Sequence, residues 1–175
     1  SEDFSNAAWV KGSVTVSANA TTAPDGTLTA DLIANTATLH VINQTISCSE
    51  NTTYTFSFYA KNNGGTNNYI GLWDRYGTGS VLVSRDFNSE INNDTWERVS
   101  ISITTGAGAS TLYFYISRDT PDSNFYIWGA QLEASDTMGV YVPTTDRPAS
   151  GGNPLRPWSY IETDQTPWPK QYDTY

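Results

Sequence analysis

Most of the chain alternates between apolar and polar residues with a period of two, which is typical of β-strands with one buried face. The alternating segments are rich in β-branched and aromatic residues, and Gly, Asn, Asp or Ser bounds them. No segment shows a sustained helical period. We therefore predict strands at residues 13–17, 39–46, 54–61, 69–73, 80–85, 98–104, 111–117 and 125–132.

Short strands with glycine-rich connections predict an all-β fold. Gly64-Gly65 and Gly106-Ala107-Gly108 mark two of these connections. This arrangement is typical of a two-sheet antiparallel β-sandwich of the jelly-roll kind. The length of 175 residues is enough for one domain with a sizeable core. We predict that this domain spans residues 1–145.

The chain changes character after Val142. Six of its eight prolines lie between Pro143 and Tyr175. Because proline fixes φ and removes a backbone donor, we expect neither a sheet nor a helix to run through this stretch. Large aromatic residues also occur there, and a disordered linker would normally lack them. We expect residues 146–175 to form an extended Pro- and aromatic-rich C-terminal arm, which either docks on a neighbouring chain or folds back on its own domain. The candidate anchors are Trp158, Tyr160, Trp168, Tyr172 and Tyr175.

Strand parity divides the side chains into an inner and an outer set. The inner set is apolar and predicts the core: Tyr54, Phe56, Phe58, Ala60, Ile70, Leu72, Val99, Ile101, Ile103, Leu112, Phe114 and Ile116. The outer set collects Tyr59, Tyr69, Trp73, Tyr113 and Tyr115, with Lys61 and Arg98 near the rim. Exposed rings on a rigid sheet need a partner.

Two interpretations of the outward rings remain open. Sugars present flat C–H faces that stack on Tyr and Trp, and their hydroxyls accept hydrogen bonds from cationic side chains, so the rings could form a glycan platform. The candidate glycan contacts are Tyr59, Tyr69, Trp73, Arg98, Tyr113 and Tyr115. Alternatively, the tail, a loop or another subunit covers the rings, because Tyr and Trp are also enriched at protein interfaces.

Charge and composition narrow the classes of partner. The formal net charge is −9 and the isoelectric point is about 4.3, so a phosphate backbone would be repelled and nucleic acid is not expected. No cluster of Lys and Arg would attract an anionic membrane, and no apolar stretch is long enough to span one. Cys48 is the only cysteine, so folding cannot depend on an intrachain disulfide. The start at Ser1 rather than Met suggests that a preceding segment was removed.

Catalytic chemistry is not predicted. His40 is the only histidine, so a Ser-His-Asp or Cys-His arrangement would have to use it, yet it lies inside a predicted strand. Metal sites built from several His or Cys ligands are excluded by their number. Asp119 and Asp122 flank Pro121, where turn formation explains both carboxylates. Calcium is the one cofactor considered, with Glu2 and Asp3 as its candidate ligands.

Four segments together resemble one known family. They are residues 1–9 (SEDFSNAAW), 23–31 (APDGTLTAD), 53–61 (TYTFSFYAK) and 125–133 (FYIWGAQLE), with 141–145 (YVPTT) following the last. They resemble the carbohydrate-binding-module-like (concanavalin-like jelly-roll) domain of tailed-bacteriophage virion proteins. The resemblance covers residues 1 to about 145. It implies a β-sandwich, no catalysis and display on a phage particle.

Two departures from that family matter. Modules of this general type often hold a structural calcium with an Asp in the last strand, where this chain has Ile127-Trp128-Gly129. The Pro- and Trp-rich tail has no counterpart in the sugar-binding module, which suggests an added anchoring device.

The resulting hypothesis is a non-catalytic structural protein of the phage virion. We expect a capsid decoration (cement) or accessory surface subunit that assembles in the bacterial cytoplasm onto the virion surface and is fastened by its arm. Its partners would be other virion proteins and copies of itself, with a trimer as the natural expectation for subunits that exchange arms; a bacterial surface glycan is a further candidate. One alternative is a tail-fibre or tailspike module that recognises bacterial surface glycans. Another is a carbohydrate-binding module of a secreted polysaccharide-degrading enzyme.

Overall fold

The computed structural model describes residues 3–35, 41–74, 81–118, 122–143 and 160–161. Within these ranges the chain forms eleven strands and one short 3₁₀ turn at Asn88–Glu90. The strands are β1 (Val10–Gly12), β2 (Thr15–Thr21), β3 (Ala30–Ala34), β4 (Val41–Ser47), β5 (Thr53–Asn62), β6 (Tyr69–Trp73), β7 (Leu82–Asp86), β8 (Glu97–Thr104), β9 (Thr111–Arg118), β10 (Asn124–Glu133) and β11 (Tyr160–Ile161).

The strands form two sheets. One has five strands in the order β1-β4-β9-β6-β7, and the other has the order β2-β3-β10-β5-β8, with β11 added beside β10. Every described pair is antiparallel except that of β10 with β11. The predicted all-β, two-sheet antiparallel sandwich is therefore confirmed.

All eight predicted strands are present, and β6 has the predicted bounds. Two strands of the sandwich were missed. The three-residue β1 is too short to show a periodic pattern. In β3 the sequence Ala-Asp-Leu-Ile-Ala places the buried Asp31 on the same face as the core residue Ile33, so a polar residue stands where alternation predicts an apolar one.

The core lies between the two sheets. Every side chain predicted for it is buried, and the most exposed of them, Ile101, has 9% of its surface accessible. The loop before β1 adds two rings that parity could not predict. Phe4 stacks on Trp9 with 4.7 Å between ring centroids, and Trp9 meets the edge of Phe114 at 5.7 Å.

A second layer lies outside the sheet that contains β10. After β10 ends, residues 134–143 fold back across the outer face of this sheet; we call this segment the strap. The hydroxyl of Thr55 on β5 donates to the Ser135 carbonyl at 2.8 Å, and the hydroxyl of Ser102 on β8 donates to the Asp136 carbonyl at 3.4 Å. The strap therefore crosses the outer side of two strands.

One expectation about the tail was wrong. Tyr160 and Ile161 form a short parallel pair with Leu132 and Glu133 of β10, so a sheet does extend into the proline-rich stretch. The interval between Pro157 and Pro167 contains no proline, which leaves backbone donors free for pairing. The other residues of 146–175 lie outside the described ranges, including the anchor candidates Trp158, Trp168, Tyr172 and Tyr175. The domain boundary at residue 145 and the docking arm remain predictions.

Candidate functional site

The outward rings do not share one face. Tyr69 and Trp73 on β6 and Tyr113 and Tyr115 on β9 lie on the outer side of the five-stranded sheet. Tyr59 on β5 and Arg98 on β8 belong to the opposite sheet. The prediction of a single aromatic face was therefore wrong, because parity shows on which side of its own sheet a residue lies but not which sheet that is.

The rings on β6 and β9 form a connected row. Trp73 lies opposite Tyr113 in the register of the two strands, and their rings meet edge to face at 6.4 Å. The Tyr113 and Tyr115 rings are 6.0 Å apart. Trp73, Tyr113 and the nearby Tyr69 are partly exposed, so each offers some ring surface. We call Tyr69, Trp73, Tyr113 and Tyr115 the aromatic row.

Tyr115 is the buried member of this row and packs between its neighbours and the sheet. Its side chain is only 3% exposed although it points to the outer side of the sheet. The ring lies directly over Gly71, which stands between Tyr69 and Trp73 on β6. Since Gly71 has no side chain, the Tyr115 ring fills the gap between its two neighbours.

Small polar groups border the aromatic row. On β4, Asn43 lies opposite Tyr115 and Thr45 lies opposite Tyr113, while Ser84 on β7 lies opposite Gly71. The hydroxyls of Thr45 and Ser84 are exposed and can donate and accept hydrogen bonds without carrying charge, whereas Asn43 is buried. Ring surface beside uncharged hydrogen-bonding groups suits a ligand with apolar faces and a hydroxyl rim.

The aromatic candidates on the other sheet contact the strap. The Tyr141 ring of the strap lies 4.8 Å from the Trp128 ring and 6.1 Å from the Tyr59 ring. The Arg98 guanidinium packs over Tyr59 at 5.5 Å and donates to the Gly139 carbonyl. Tyr59 and Arg98 thus hold the strap in place, and their assignment as glycan contacts stays a prediction.

Two polar side chains at the end of β10 fasten the strap, and neither was predicted from the sequence as a functional residue. The Gln131 amide donates to the Val140 carbonyl at 3.2 Å and accepts from the Val142 N–H at 2.9 Å. The Glu133 carboxylate accepts the Gly139 N–H at 3.0 Å. Both are buried. The available signal was that Gln131 and Glu133 alternate with the core residue Leu132, which places them together on the outer face.

The acidic groups near the N-terminus already have protein partners. The Asp3 carboxylate accepts from the Ser5 hydroxyl at 2.6 Å and from the Asn6 N–H at 3.0 Å. The buried Asp31 carboxylate accepts the N–H groups of Phe4 at 2.7 Å and Asn19 at 2.9 Å. Glu2, the other calcium candidate, lies outside the described residues. Within the described ranges no three His, Cys, Asp or Glu residues come together as a metal site.

Burial shifts two ionisable groups. It raises the pKa of Asp31, with the nearby Asp3 adding to the effect, while the hydrogen bonds from Asn19 and Phe4 act in the opposite direction. Burial also raises the pKa of Cys48 to about 11, with a smaller contribution from Asp74. His40 and Asp119 fall outside the described residues. No helix in the described part of the chain is long and apolar enough to cross a membrane.

The family model described as "Carbohydrate binding domain" matches residues 2–124 of the sequence. The chain belongs to this carbohydrate binding domain family. The two-sheet fold agrees with that membership. The resemblance to a carbohydrate-binding-module-like jelly roll is therefore confirmed. Family membership indicates a binding domain rather than a catalytic one. A comparison with curated protein sequences found no match.

Two of the solved structures with a similar fold contain a CBM22-1 module. The xylan-binding CBM22-1 domain of Paenibacillus barcinonensis Xyn10C has a TM-score of 0.53 at 14% identity, covering 71% of this chain and 83% of that domain. A second structure contains the CBM22-1 and GH10 modules of Clostridium thermocellum xylanase Xyn10B in complex with xylohexaose. Its TM-score is also 0.53, at 16% identity, and the match covers 71% of this chain and 26% of the xylanase chain.

Another similar structure comes from a bacteriophage. The enzymatically active domain of tailspike protein 4 from bacteriophage CBA120 has a TM-score of 0.55 at 15% identity. It covers 75% of this chain, but this chain spans only 20% of the tailspike structure. At these identities the likeness concerns the fold.

Proposed function

We propose that this chain is a carbohydrate-binding module that holds a polysaccharide on its aromatic row for a polysaccharide-degrading partner domain. The observation that carries the proposal is the row itself, in which Trp73 and Tyr113 are partly exposed and packed edge to face at 6.4 Å. Membership of the carbohydrate binding domain family supports it. The module binds, and the chemistry belongs to the partner.

The row suits sugars for two physical reasons. The axial C–H faces of a pyranose are apolar and stack on indole and phenol rings, while ring hydroxyls need hydrogen-bonding neighbours such as the exposed Thr45 and Ser84. The buried Tyr115 ring, which packs against the backbone of Gly71, also holds the row in place. Rings that are already ordered lose little conformational freedom when a ligand binds.

The opposite sheet is a weaker candidate for the same role. Its rings Tyr59 and Trp128 pack against Tyr141, and the strap lies over them. A polysaccharide would first have to displace the strap and break its hydrogen bonds to Gln131 and Glu133. In the aromatic row, by contrast, Trp73 and Tyr113 already have exposed ring surface.

The first test is binding to soluble polysaccharides by affinity electrophoresis and calorimetry. Xylan and xylohexaose are the first probes because two similar structures are a xylan-binding domain and a xylohexaose complex. Cellulose, galactan and bacterial capsular polysaccharides complete the panel. Trp73→Ala should weaken binding at least about tenfold, which corresponds to about 1.4 kcal/mol.

Trp96→Ala is the matched control. Trp96 is also a partly exposed tryptophan, but it packs beside the buried Trp128 group on the opposite sheet and donates its indole N–H to the Thr22 carbonyl at 3.2 Å. This variant should keep its affinity within about twofold, equivalent to a few tenths of a kcal/mol. Equal losses in the two variants, or no binding to any member of the panel, would refute the proposal.

A second candidate is a glycan-recognising module on the surface of a phage virion. It is favoured by the tailspike structure, whose TM-score is 0.55 over 75% of this chain. Retention on capsular polysaccharide or lipopolysaccharide, with none on xylan, would support it, as would detection of the chain in purified particles. A low copy number per particle would indicate a position on the tail. Hundreds of copies would indicate the capsid-decoration role, in which oligomers are fastened to the capsid by their C-terminal arms.

A further inference from the structure

The ammonium group of Lys11, on an exposed side chain, contacts four backbone carbonyl oxygens. Its Nζ donates to the carbonyls of Asn6 at 2.8 Å, Ser5 at 3.0 Å and Trp9 at 3.0 Å, and that of Phe4 lies at 3.4 Å. None of these four acceptors is a carboxylate. An ammonium carries three protons, so this shell satisfies it completely. Four oxygens around one compact cation is the arrangement of an ion site rather than of a surface salt bridge.

The four carbonyls converge because the N-terminal loop, residues 3–9, turns tightly. The Asp3 carboxylate accepts the Asn6 N–H at 3.0 Å, the Asn6 side-chain oxygen accepts the Ala8 N–H at 2.9 Å, and the Asn6 carbonyl accepts the Trp9 N–H at 3.1 Å. These bonds fold the loop so that its carbonyl dipoles point toward one centre. Without a positive charge there, the dipoles would repel one another.

This loop has a structural task in the sandwich. It positions Phe4 and Trp9, which are 0% and 2% exposed and stack on each other inside the core. Trp9 then packs against Phe114 on β9 of the five-stranded sheet, and the Phe4 N–H binds Asp31 on β3 of the other sheet. The loop therefore contacts both layers of the sandwich, and its carbonyl groups surround the Lys11 ammonium on one side.

We propose that the Lys11 ammonium is the built-in structural cation of the N-terminal loop and takes the position that a bound metal ion would otherwise hold. Carbonyl oxygens are ordinary ligands of hard cations such as calcium, so the donor set fits either kind of cation. The carboxylates of Asp3 and Asp31 accept backbone N–H groups instead of approaching this centre. Because Lys11 is covalently attached, Phe4 and Trp9 dock without free calcium.

The proposal predicts the response of the unmodified chain to calcium. Its melting temperature, followed by circular dichroism, should be the same in EDTA and in calcium chloride, and calorimetry should detect no stoichiometric calcium binding. A melting temperature that falls in EDTA and recovers with calcium would overturn the proposal. This measurement needs no variant, so it decides the question even where substitutions at Lys11 prevent folding.

Substitutions then test the ammonium itself. Lys11→Met keeps most of the length of the side chain and removes the charge, and it should lower the melting temperature by roughly 5 °C or more. Lys61→Met is the matched control, because the Lys61 ammonium lies over the rings of Trp96 and Tyr126 and has no carbonyl shell among the residues that the structure describes. Its shift should be less than half as large. Equal shifts, or a Lys11→Met variant as stable as the parent, would refute the role of the ammonium.

Chemical rescue distinguishes a role of the Lys11 positive charge from a role of side-chain packing alone. Lys11→Ala deletes three methylenes and the ammonium, and the n-propylammonium ion has the same atoms. Propylammonium chloride should raise the melting temperature of Lys11→Ala relative to sodium chloride of equal ionic strength, with saturation, and should leave the parent unchanged. An equal response of both proteins would argue against a specific cation position.

Discussion

The ring of Tyr115 lies across the backbone of Gly71, so closely that a Cβ atom on Gly71 would stand 2.1 Å from Tyr115 Cζ and 2.3 Å from its hydroxyl oxygen. Gly71 separates Tyr69 from Trp73 on the outer side of β6. The space that its missing side chain leaves is filled by a ring from the neighbouring strand β9. A glycine on one strand therefore determines how the rings of two strands pack.

Replacing Gly71 with alanine should displace the Tyr115 ring. Overpacking of this kind costs about 1–3 kcal/mol, which urea unfolding can measure, and the same variant should bind polysaccharide more weakly than the parent. Gly12→Ala is the control in the same sheet, since its Cβ would meet Val41 Cγ1 at an ordinary 3.6 Å. The loss of stability in Gly71→Ala should be non-additive with Tyr115→Ala, because removing the ring removes the clash. Equal effects of Gly71→Ala and Gly12→Ala would contradict this account.

The strands could be predicted from the sequence because each depends on local alternation. Tyr54, Phe56 and Phe58 follow one another at period two, and all three are buried as expected. The sheet to which each strand belongs could not be predicted in the same way. Tyr59 lies on β5, which pairs with β10 and β8, whereas Tyr113 lies on β9, which pairs with β4 and β6. These pairings join residues far apart in the chain, and no period in the sequence encodes them.

The paths of the irregular segments could not be predicted from the sequence for a related reason. The side chains of Gln131 and Arg98 donate hydrogen bonds to backbone carbonyls of the strap, and the Glu133 carboxylate accepts one from a strap N–H. The Lys11 ammonium donates to backbone carbonyls of the N-terminal loop. Such contacts have no fixed spacing and depend on the final path of the backbone. The aromatic row was predicted residue by residue, but its separation from Tyr59 became visible only with the topology.

The ordered position of the strap should depend strongly on the ring of Tyr141. Tyr141 packs against Trp128 and over Gly129, where a Cβ atom would lie 3.1 Å from Tyr141 Cζ. Tyr141→Ala should destabilise the domain by about 1–2 kcal/mol, less than a fully buried ring would, and should speed cleavage of the strap by proteinase K. The adjacent Val140 is 86% exposed, so Val140→Ala should change stability by less than about 0.5 kcal/mol. Similar protease sensitivity in both variants would show that Tyr141 does not anchor the strap.

Cys48 should be an unreactive thiol. Its pKa of about 11 means that roughly one molecule in a thousand is thiolate at pH 8, against about a quarter for an ordinary cysteine. Alkylation by iodoacetamide should therefore be about two orders of magnitude slower than for a free cysteine, and its rate should keep rising above pH 9. The same protein in urea should react at the ordinary rate. A native rate that levels off near pH 9 would mean that burial does not suppress the thiolate.

Asp31 should make the domain less stable as the pH rises through its pKa. Burial holds that pKa above its ordinary value of 3.8, so the folded state binds the Asp31 proton more tightly than the unfolded chain does. The contribution of Asp31 is then most favourable below pH 3.8 and is lost as the pH increases through the raised value. In urea unfolding across this range, the parent should lose stability relative to Asp31→Asn, in which residue 31 cannot titrate.

The control for Asp31 is a carboxylate with the opposite shift. Hydrogen bonds from the Thr27 side chain and backbone lower the pKa of the exposed Asp25, so its contribution is present above pH 3.8 and is lost as the pH falls through the lowered value. The parent should therefore gain stability relative to Asp25→Asn as the pH rises. If both differences move in the same direction, burial is not the dominant influence on Asp31, and its two N–H partners, Phe4 and Asn19, outweigh the loss of solvent.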